Sequence, residues 1–266
     1  MDKLETRRLS KVFSRRGIAT EALRDVTIGI AAGEFVSIVG ASGCGKTTFL
    51  RMVDGLIEPT SGSILIDGQA VTGPGSNRAF VFQRDSLFPW RSVLQNTVFG
   101  PEVRGDAMQG ARSLAQRFLQ LVSLGGFDRY YPHEMSGGMR QRVNLARALT
   151  FNPDVLLMDE PFAALDAQTR EIMQAELLRI WQEAKKTVLF VTHQIDEAVF
   201  LSDRVLVFTV RPGRLKQIIT IDLPRPRALE IKRTPQFIRY VDEIWRLIEE
   251  EVRQSAQPAV AGAASA

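Results

Sequence analysis

The sequence is poor in cysteine and histidine, and it has no long apolar run. Its 266 residues include one cysteine and two histidines. The single cysteine, Cys44, excludes a disulfide framework and a cysteine-based zinc site, and it is typical of a reducing compartment. No segment approaches the roughly 18 consecutive apolar residues of a membrane-spanning helix. The N-terminus lacks the apolar stretch of a secretory signal. We therefore expect a cytoplasmic protein that does not cross a membrane by itself.

The overall composition is that of a globular protein with a mild positive charge. Hydrophobic residues make up 45% and charged residues 24% of the chain. These proportions exclude collagen-like and wholly disordered proteins. The formal net charge is +4. This charge permits anionic partners, but it is too small to indicate nucleic-acid binding, and we expect no nucleic-acid partner.

Short apolar runs alternate with helical patterns along much of the chain. Near-continuous apolar runs are typical of strands buried on both faces of a mostly parallel sheet. The alternation with helices predicts an α/β architecture. The clearest predicted strands are Phe35–Val39, Ile64–Ile66, Ala79–Phe82, Val155–Met158, Thr187–Val191 and Val205–Val210.

The chain is predicted to form one domain, residues 1–253, with three parts. An α/β core occupies about 1–90 and 151–210, and a helical lobe without strands occupies about 91–150. A C-terminal extension of strand and helix, 211–253, follows. The low-complexity residues 254–266 are expected to be a disordered tail.

A final helix is predicted within the C-terminal extension. Thr234 and Pro235 form a helix start signal, an N-cap followed by proline at the first helical position. The residues expected on its one apolar face are Phe237, Val241, Ile244, Trp245, Ile248 and Val252.

The segment Gly40–Thr47 fits the phosphate-loop pattern G-x-x-x-x-G-K-[ST]. A predicted strand leads into it and a helix-compatible segment, Thr48–Val53, follows. Glycines allow backbone amides to face a phosphate, and the helix adds the positive end of its dipole. Lys46 is predicted to reach the β- and γ-phosphates and the Thr47 hydroxyl to bind Mg²⁺, with Cys44 as a spacer whose side chain points away. The loop alone does not distinguish a kinase, a GTPase and an ATPase. The predicted phosphate-binding residues are Gly40, Ala41, Ser42, Gly43, Cys44, Gly45, Lys46, Thr47 and Thr48.

Four polar residues follow predicted buried strands and complete a hydrolytic site. Asp159 is placed to hold Mg²⁺, as in phosphate-loop NTPases. Glu160, one residue later, is suited to act as the general base toward water. Gln83 offers an amide that can contact both Mg²⁺ and water, and His193 can contact a γ-phosphate. The predicted catalytic residues are therefore Glu160, His193 and Gln83, and the predicted metal ligands are Thr47, Gln83 and Asp159.

A second anion site is predicted at Ser136, Gly137 and Gly138. Ser136 is a plausible N-cap, and the two glycines expose the first amides of the following helix. Two phosphate-binding helix ends exceed what one nucleotide needs in one subunit, unless the second end serves a neighbouring molecule.

With these motifs in this order, the sequence resembles the ATP-binding subunits of ABC transporters over residues 4–250. The resemblance implies a phosphate-loop NTPase of the ABC ATPase type, a RecA-like core with an inserted helical lobe. It implies hydrolysis of ATP with Mg²⁺ in a head-to-tail dimer, in which Ser136–Gly138 of one copy cover the ATP of the other. It also places Phe13 where an aromatic residue stacks on adenine. The motifs that carry it are Walker A 40–47, the Q-loop residue Gln83, the signature 136–140, Walker B 155–160, the D-loop 163–166 and the switch residue His193.

Finer features resemble the nitrate, sulfonate, taurine and bicarbonate importer branch. They are the segments 87–93, 161–166 and 211–214. This resemblance implies separate permease subunits, an indirect partnership with a substrate-binding protein, and a peripheral place on the cytoplasmic face of the inner membrane. A soluble non-transport ABC ATPase and the cassette of an exporter are the alternatives. Met139, Ala163 and Gln194 depart from the common family residues.

Large apolar residues follow the Q-loop at the junction between core and lobe. Leu87, Phe88 and Trp90 would serve either to pack the two parts together or to line a groove for a cytoplasmic helix of the permease. The sequence leaves both possibilities open.

Overall fold

The computed structural model describes residues 2–84 and 86–256. The strands are β1 (Asp2–Arg15), β2 (Ile18–Ala31), β3 (Phe35–Val39), β4 (Ser61–Ile66), β5 (Gln69–Ala70), β6 (Arg78–Val81), β7 (Val155–Asp159), β8 (Thr187–Val191), β9 (Arg204–Phe208) and β10 (Leu215–Thr220). The α-helices are α1 (Lys46–Asp54), α2 (Val93–Thr97), α3 (Phe99–Arg104), α4 (Met108–Leu121), α5 (Gly137–Thr150), α6 (Ala167–Ala184), α7 (Ile195–Leu201) and α8 (Pro235–Ala256). Short 3₁₀ helices cover Pro132–Glu134 and Leu229–Arg233.

The strands form two sheets. The larger has the order β10-β9-β3-β8-β7-β6, in which β10 is antiparallel and the other five strands run parallel. Every residue of β3, β7 and β8 is buried. This agrees with their apolar runs, which predicted strands of a parallel sheet that is covered on both faces. The smaller sheet, β2-β1-β4-β5, is antiparallel.

The larger sheet separates two hydrophobic cores. In β3, Phe35 and Val39 point into one core, whereas Val36 and Ile38 point into the other, as the two-residue period of a strand requires. Helix α1 and the antiparallel sheet cover the second face, and α5, α6, α7 and α8 cover the first. The fold is therefore α/β with both faces of its parallel sheet covered.

Parallel pairing brings the ends of four strands to one edge of the sheet. Strands β3, β8, β7 and β6 are consecutive neighbours and all run in the same direction. The loop at Gly40 leaves β3, His193 follows β8, Asp159 ends β7 with Glu160 directly after it, and Gln83 follows β6. In open α/β sheets, ligands bind at the carboxyl ends of the strands, so this edge is the candidate site.

The N-terminal strands were not predicted. Strands β1 and β2 occupy nearly all of the first 31 residues, where the sequence shows no continuous apolar run. Both strands bury only some of their side chains, and their pairing has several register shifts, which interrupt an alternating pattern. The predicted strand Ile64–Ile66 is β4 of the same antiparallel sheet. The predicted strand Val205–Val210 ends at Phe208, because Thr209 and Val210 belong to the turn before β10.

Residues 91–150 contain four α-helices and one 3₁₀ helix and no strand, as expected. The division of the whole chain into an α/β core, a helical lobe and a C-terminal extension stays a prediction. The predicted start of α8 is confirmed, since Thr234 Oγ1 accepts a hydrogen bond from the Phe237 amide at 3.3 Å. The helix continues through Ala256, into the first three residues of the predicted tail, and 257–266 lie outside the described residues.

The predicted apolar face of α8 is wrong in two places. Ile244 is fully buried, but Trp245 is 60% and Val252 is 46% exposed. Successive helical residues are about 100° apart, so the neighbour of a fully buried residue turns toward solvent. No helix within residues 2–84 and 86–256 is both long and apolar enough to span a membrane.

Candidate active site

The phosphate loop connects β3 to α1, and its glycines are required by the backbone. Gly45 caps α1 with φ of 102°, in the left-handed region that favours glycine. A Cβ atom on Gly45 would lie 2.8 Å from the carbonyl oxygen of Ala22 in β2. The loop is thus closely packed against the antiparallel sheet, and no side chain fits at this position.

Lys46 begins α1 and folds back over the loop. Its Nζ donates to the carbonyl oxygens of Gly40 at 2.8 Å and Ala41 at 3.1 Å. Cys44 is 1% exposed and lies outside the pocket lining, as expected of a spacer. Burial raises the pKa of the Cys44 thiol, an effect that nearby Lys46 opposes. The thiol is therefore a protonated packing group beneath the loop.

A pocket of about 290 Å³ lies over the loop. Its lining includes the aromatic ring of Phe13 from β1 and the Glu160 carboxylate after β7, so distant chain segments meet here. The predicted residues that line it are Phe13, Ser42, Gly43, Gly45, Lys46, Thr47, Thr48 and Glu160. Gly40, Ala41 and Cys44 lie outside its lining.

Asp159 sits beside the first turn of α1. The Thr47 hydroxyl donates to Asp159 Oδ1 at 3.0 Å. Asp159 is 2% exposed, and this burial raises the pKa of its carboxyl above the ordinary value, while the hydrogen bond from Thr47 lowers it. The pair places the hydroxyl of Thr47, which lines the pocket, beside a carboxylate oxygen of Asp159, which lies outside the pocket lining.

The three predicted catalytic residues meet at one carboxylate oxygen. Gln83 Nε2 donates to Glu160 Oε2 at 3.0 Å, and His193 Nδ1 lies 3.2 Å from the same oxygen. Glu160 adopts φ of 47°, a left-handed conformation that non-glycine residues rarely take. Its amide donates to the Val191 carbonyl at 2.9 Å. This unusual backbone conformation at a polar cluster is a feature of functional sites.

Buried polar groups support the loop that carries His193. The Thr192 hydroxyl bonds to Glu197, and Gln174 Nε2 donates to the same carboxyl at 2.9 Å. Glu197 is 3% exposed, and burial raises its pKa. Gln194, which departs from the residue common in the family at this position, accepts a hydrogen bond from Arg170 at 3.3 Å. The loop after β8 is therefore anchored to helix α6.

The second predicted anion site lies apart from the pocket in the single chain. Ser136 caps α5, its hydroxyl accepting from the Met139 amide at 3.3 Å. Ser136, Gly137 and Gly138 do not line the pocket over the phosphate loop. Ser136 and Gly137 are exposed, which leaves the start of α5 open to another molecule.

Sequence patterns missed three pocket-lining residues, Thr20, Ala22 and Arg211. Thr20 and Ala22 reach the site only because β2 packs beside the loop, and no local pattern announces that contact. Arg211 comes from the turn after β9, and its guanidinium donates to the carbonyl oxygen of Gly43 at 3.1 Å. In the sequence, the segment 211–214 is distinguished only by its resemblance to the importer branch.

Together, the phosphate loop, the buried Asp159 and the cluster at Glu160 define a nucleotide-hydrolysing phosphate-loop protein. The sequence model of the ABC transporter family matches residues 23–163. The chain belongs to this family; it binds ATP and is an ATPase.

Relatives match over nearly the whole chain. An uncharacterized ABC transporter ATP-binding protein of Methanocaldococcus jannaschii is 49% identical, over 95% of this chain and 94% of its own. The nitrate import ATP-binding protein NrtD of Synechocystis is 47% identical, over 92% and 94%. The taurine import ATP-binding protein TauB of Burkholderia thailandensis is 43% identical, over 94% and 100%.

A solved structure shares the fold. It is a dimeric structure of the ATP-binding cassette MJ0796 in a post-hydrolysis state, bound to ADP and Pi. Its TM-score is 0.75 at 30% sequence identity, and the match covers 83% of this chain and 100% of that chain. The architecture is therefore that of an ABC ATPase, as the resemblance implied.

The packing of Gly45 makes a direct prediction. Gly45→Ala should abolish ATP binding, because the new methyl group would meet the Ala22 carbonyl and the residue would be held at an unfavourable φ. The measurement is a titration of the purified protein with ATP. The control is Gly110→Ala in α4, where a Cβ meets nothing within 4 Å. Normal ATP affinity in a folded Gly45→Ala protein would refute the packing argument.

Proposed function

We propose that the chain is the ATP-hydrolysing subunit of an importer for a small anion or organic solute. The solute belongs to the nitrate, sulfonate, taurine and bicarbonate class, and it passes through separate permease subunits. The observation that carries this proposal is the full-length similarity to nitrate and taurine import ATP-binding proteins. A substrate-binding protein would deliver the solute to the permease, and this subunit would sit on the cytoplasmic face of the membrane.

ATP is held over the phosphate loop in this proposal. The ammonium group of Lys46 and the first amides of α1 face the phosphates, since a helix N-terminus favours negative charge. Phe13, which is 40% exposed and lines the same pocket, offers a ring on which adenine stacks. The same pocket is also lined by Ser42, Gly43, Thr47 and Thr48.

The side chains at the start of α1 and the end of β7 fit Mg²⁺. Mg²⁺ is usually bound by one or two carboxylates together with substrate phosphates and water, not by an all-protein cage. The 3.0 Å pair of Thr47 and Asp159 supplies such a donor set, and the described residues include no group of three or more acidic, histidine or cysteine side chains that could hold a metal ion by themselves. Gln83 completes the proposed ligands through its amide oxygen. The bound ion would neutralise charge on the transferred phosphoryl group.

Hydrolysis uses the cluster at Glu160. Both Gln83 and His193 contact Oε2, so we assign Oε1 to the attacking water. The water oxygen forms a bond to the γ-phosphorus, the bond to the bridging oxygen of ADP breaks, and the water proton passes to Glu160. His193 and Gln83 hold the carboxylate in position, and we assign to His193 the contact with the γ-phosphate.

The active unit is proposed to be a head-to-tail pair of chains. The exposed start of α5 is the anion site that the single chain leaves unused. In the pair, Ser136, Gly137 and Gly138 of one copy close over the ATP held by the other, which accounts for two phosphate-binding helix ends per chain. The related cassette MJ0796 is dimeric.

A groove beside the Q-loop is the proposed docking site for the permease. The groove has a volume of about 840 Å³ and is formed by the segment around Trp90 with α2, α3 and α4. Trp90 is 71% exposed at its rim, whereas Leu87 is only 9% exposed and packs in the core. These exposures support assigning one role to each residue: Leu87 to packing between core and lobe, and Trp90 to contact with a partner. Phe88 is half-buried, with its ring 5.6 Å from that of Trp90.

Contacts from α5 connect this groove to the catalytic cluster. Gln141 Nε2 donates to the Phe82 carbonyl at 3.0 Å, immediately before Gln83. Arg147 donates to the Ser86 carbonyl at 2.9 Å, immediately before the segment that carries Trp90. Because α5 begins with the proposed anion site and also bonds to the backbone at Phe82 and Ser86, on either side of Gln83, closure over ATP would move the groove with it.

The general base is tested by Glu160→Gln. The amide cannot accept the water proton, so the ATPase rate should fall by about 100-fold or more while ATP binding persists. Size-exclusion chromatography with MgATP should then show an accumulated dimer. Glu58→Gln makes the same change at an exposed site outside the pocket and should leave both properties unchanged. Normal turnover by the folded Glu160→Gln protein would contradict the assignment.

The docking role is tested by Trp90→Ala. Loss of an exposed aromatic anchor should weaken binding to the cognate permease by about 2 kcal/mol and reduce transport, while the isolated subunit keeps its fold and its ATPase activity. Val103→Ala is the matched control, since Val103 is also 71% exposed and lies outside the groove lining. Unfolding of the isolated Trp90→Ala subunit, or unchanged assembly and transport, would place docking elsewhere.

A further inference from the structure

The turn between β9 and β10 brings a second cation to the phosphate loop. Arg211 lines the pocket together with Phe13 and Lys46. Its Nη2 and Nε atoms lie 3.1 Å and 3.3 Å from the carbonyl oxygen of Gly43, in the middle of the loop. None of the roles proposed above uses this residue.

The turn is rigidly held by hydrogen bonds on both sides. The Thr209 hydroxyl accepts from the Arg214 amide at 2.9 Å, and the Thr209 amide donates to the Arg214 carbonyl at the same distance. The Gly213 amide donates to Ala22 at 2.9 Å, and the Gly213 carbonyl accepts from Arg24 at 3.0 Å. These bonds tie the turn to β2, so Arg211 projects from a fixed base.

The turn also touches the phosphate loop and α8 directly. A Cβ atom on Gly213 would lie 2.0 Å from the Cys44 carbonyl oxygen, so the two backbones are in contact. The Val210 amide donates to Glu251 Oε2 of α8 at 3.2 Å, and Lys216 lies 3.0 Å from the other oxygen of Glu251. Glu251 is only 9% exposed. The position of Arg211 is therefore set from three directions.

Among the described residues, Arg211 has no carboxylate partner. Within residues 2–84 and 86–256, Arg211 forms no ion pair with a carboxylate, and its Nη1 group makes no hydrogen bond. A guanidinium group has five N–H donors and is well suited to phosphate oxygens. Here it lies beside a loop whose glycines and helix end favour anions.

We propose that Arg211 is a further ATP-binding residue, which contacts the phosphate chain of the nucleotide from the β9–β10 turn. This inference rests on the proposed binding of ATP over the phosphate loop. Arg211 adds a fixed positive charge to that of Lys46, and it contributes to binding of ATP more than to the chemical step. Its hydrogen bond to Gly43 orients the guanidinium group.

Steady-state ATPase kinetics of the full chain distinguish two roles of Arg211: a charged contact with the phosphates, and a hydrogen bond that only stabilises the loop at Gly43. Arg211→Ala should raise KM for ATP about tenfold with kcat within about twofold, as loss of one charged hydrogen bond predicts. Arg211→Lys, which keeps the charge, should restore most of the affinity. Arg211→Gln keeps an N–H donor for Gly43 but not the charge, and its KM should resemble that of Arg211→Ala.

The matched control is Arg214→Ala, which removes an exposed arginine of the same turn that lies outside the pocket lining, and its KM should be unchanged. Added salt should raise KM more steeply for the native chain than for Arg211→Ala, because salt screens an exposed charge. An unchanged KM in Arg211→Ala, or full rescue by Arg211→Gln, would overturn the inference. Failure of the native chain to hydrolyse ATP would instead contradict the proposed function.

Discussion

The parallel pairing of β3, β8, β7 and β6 is the constraint on which the site depends. Because these strands run in the same direction, the residues that follow them meet at one edge of the sheet. Each strand supplies a different group: the phosphate loop, His193, the pair Asp159 and Glu160, and Gln83. Burial of the apolar residues of these strands stabilises their pairing. The hydrophobic core therefore holds together, at this edge, polar groups that are far apart in the sequence.

One chain holds the hydrolytic groups together but keeps its second anion site apart. The start of α5 packs against the loop after β7, since a Cβ on Gly138 would lie 3.2 Å from Leu165 Cδ2. Further along, α5 bonds to the backbone on both sides of Gln83. A single rigid helix therefore links the surface proposed to meet a second copy with the segment proposed to meet the permease. This arrangement would give the proposed ATP-driven closure a physical route to the proposed permease subunits.

The sequence predicted what is local in the chain and missed what tertiary packing creates. Lys46, Asp159 and Glu160 belong to short motifs bounded by apolar strands, so their chemistry and approximate positions could be inferred. Convergence of Gln83 and His193 on one oxygen of Glu160 required the strand order. No local sequence pattern indicates that residues of β2, or Arg211 from a later turn, line the pocket. Trp245 was misplaced because the residue beside a buried position in a helix faces outward.

Mixing two inactive variants tests whether each ATP is shared between two copies of the chain. Lys46→Ala removes the phosphate-binding charge, and Ser136→Arg obstructs the start of α5. If sites are shared head to tail, a mixed dimer contains one site with an intact loop from one copy and an intact α5 from the other. Each variant alone should be inactive, and ATPase activity should return on mixing. No recovery in mixtures that form mixed dimers would show that sites are not shared head to tail between two copies.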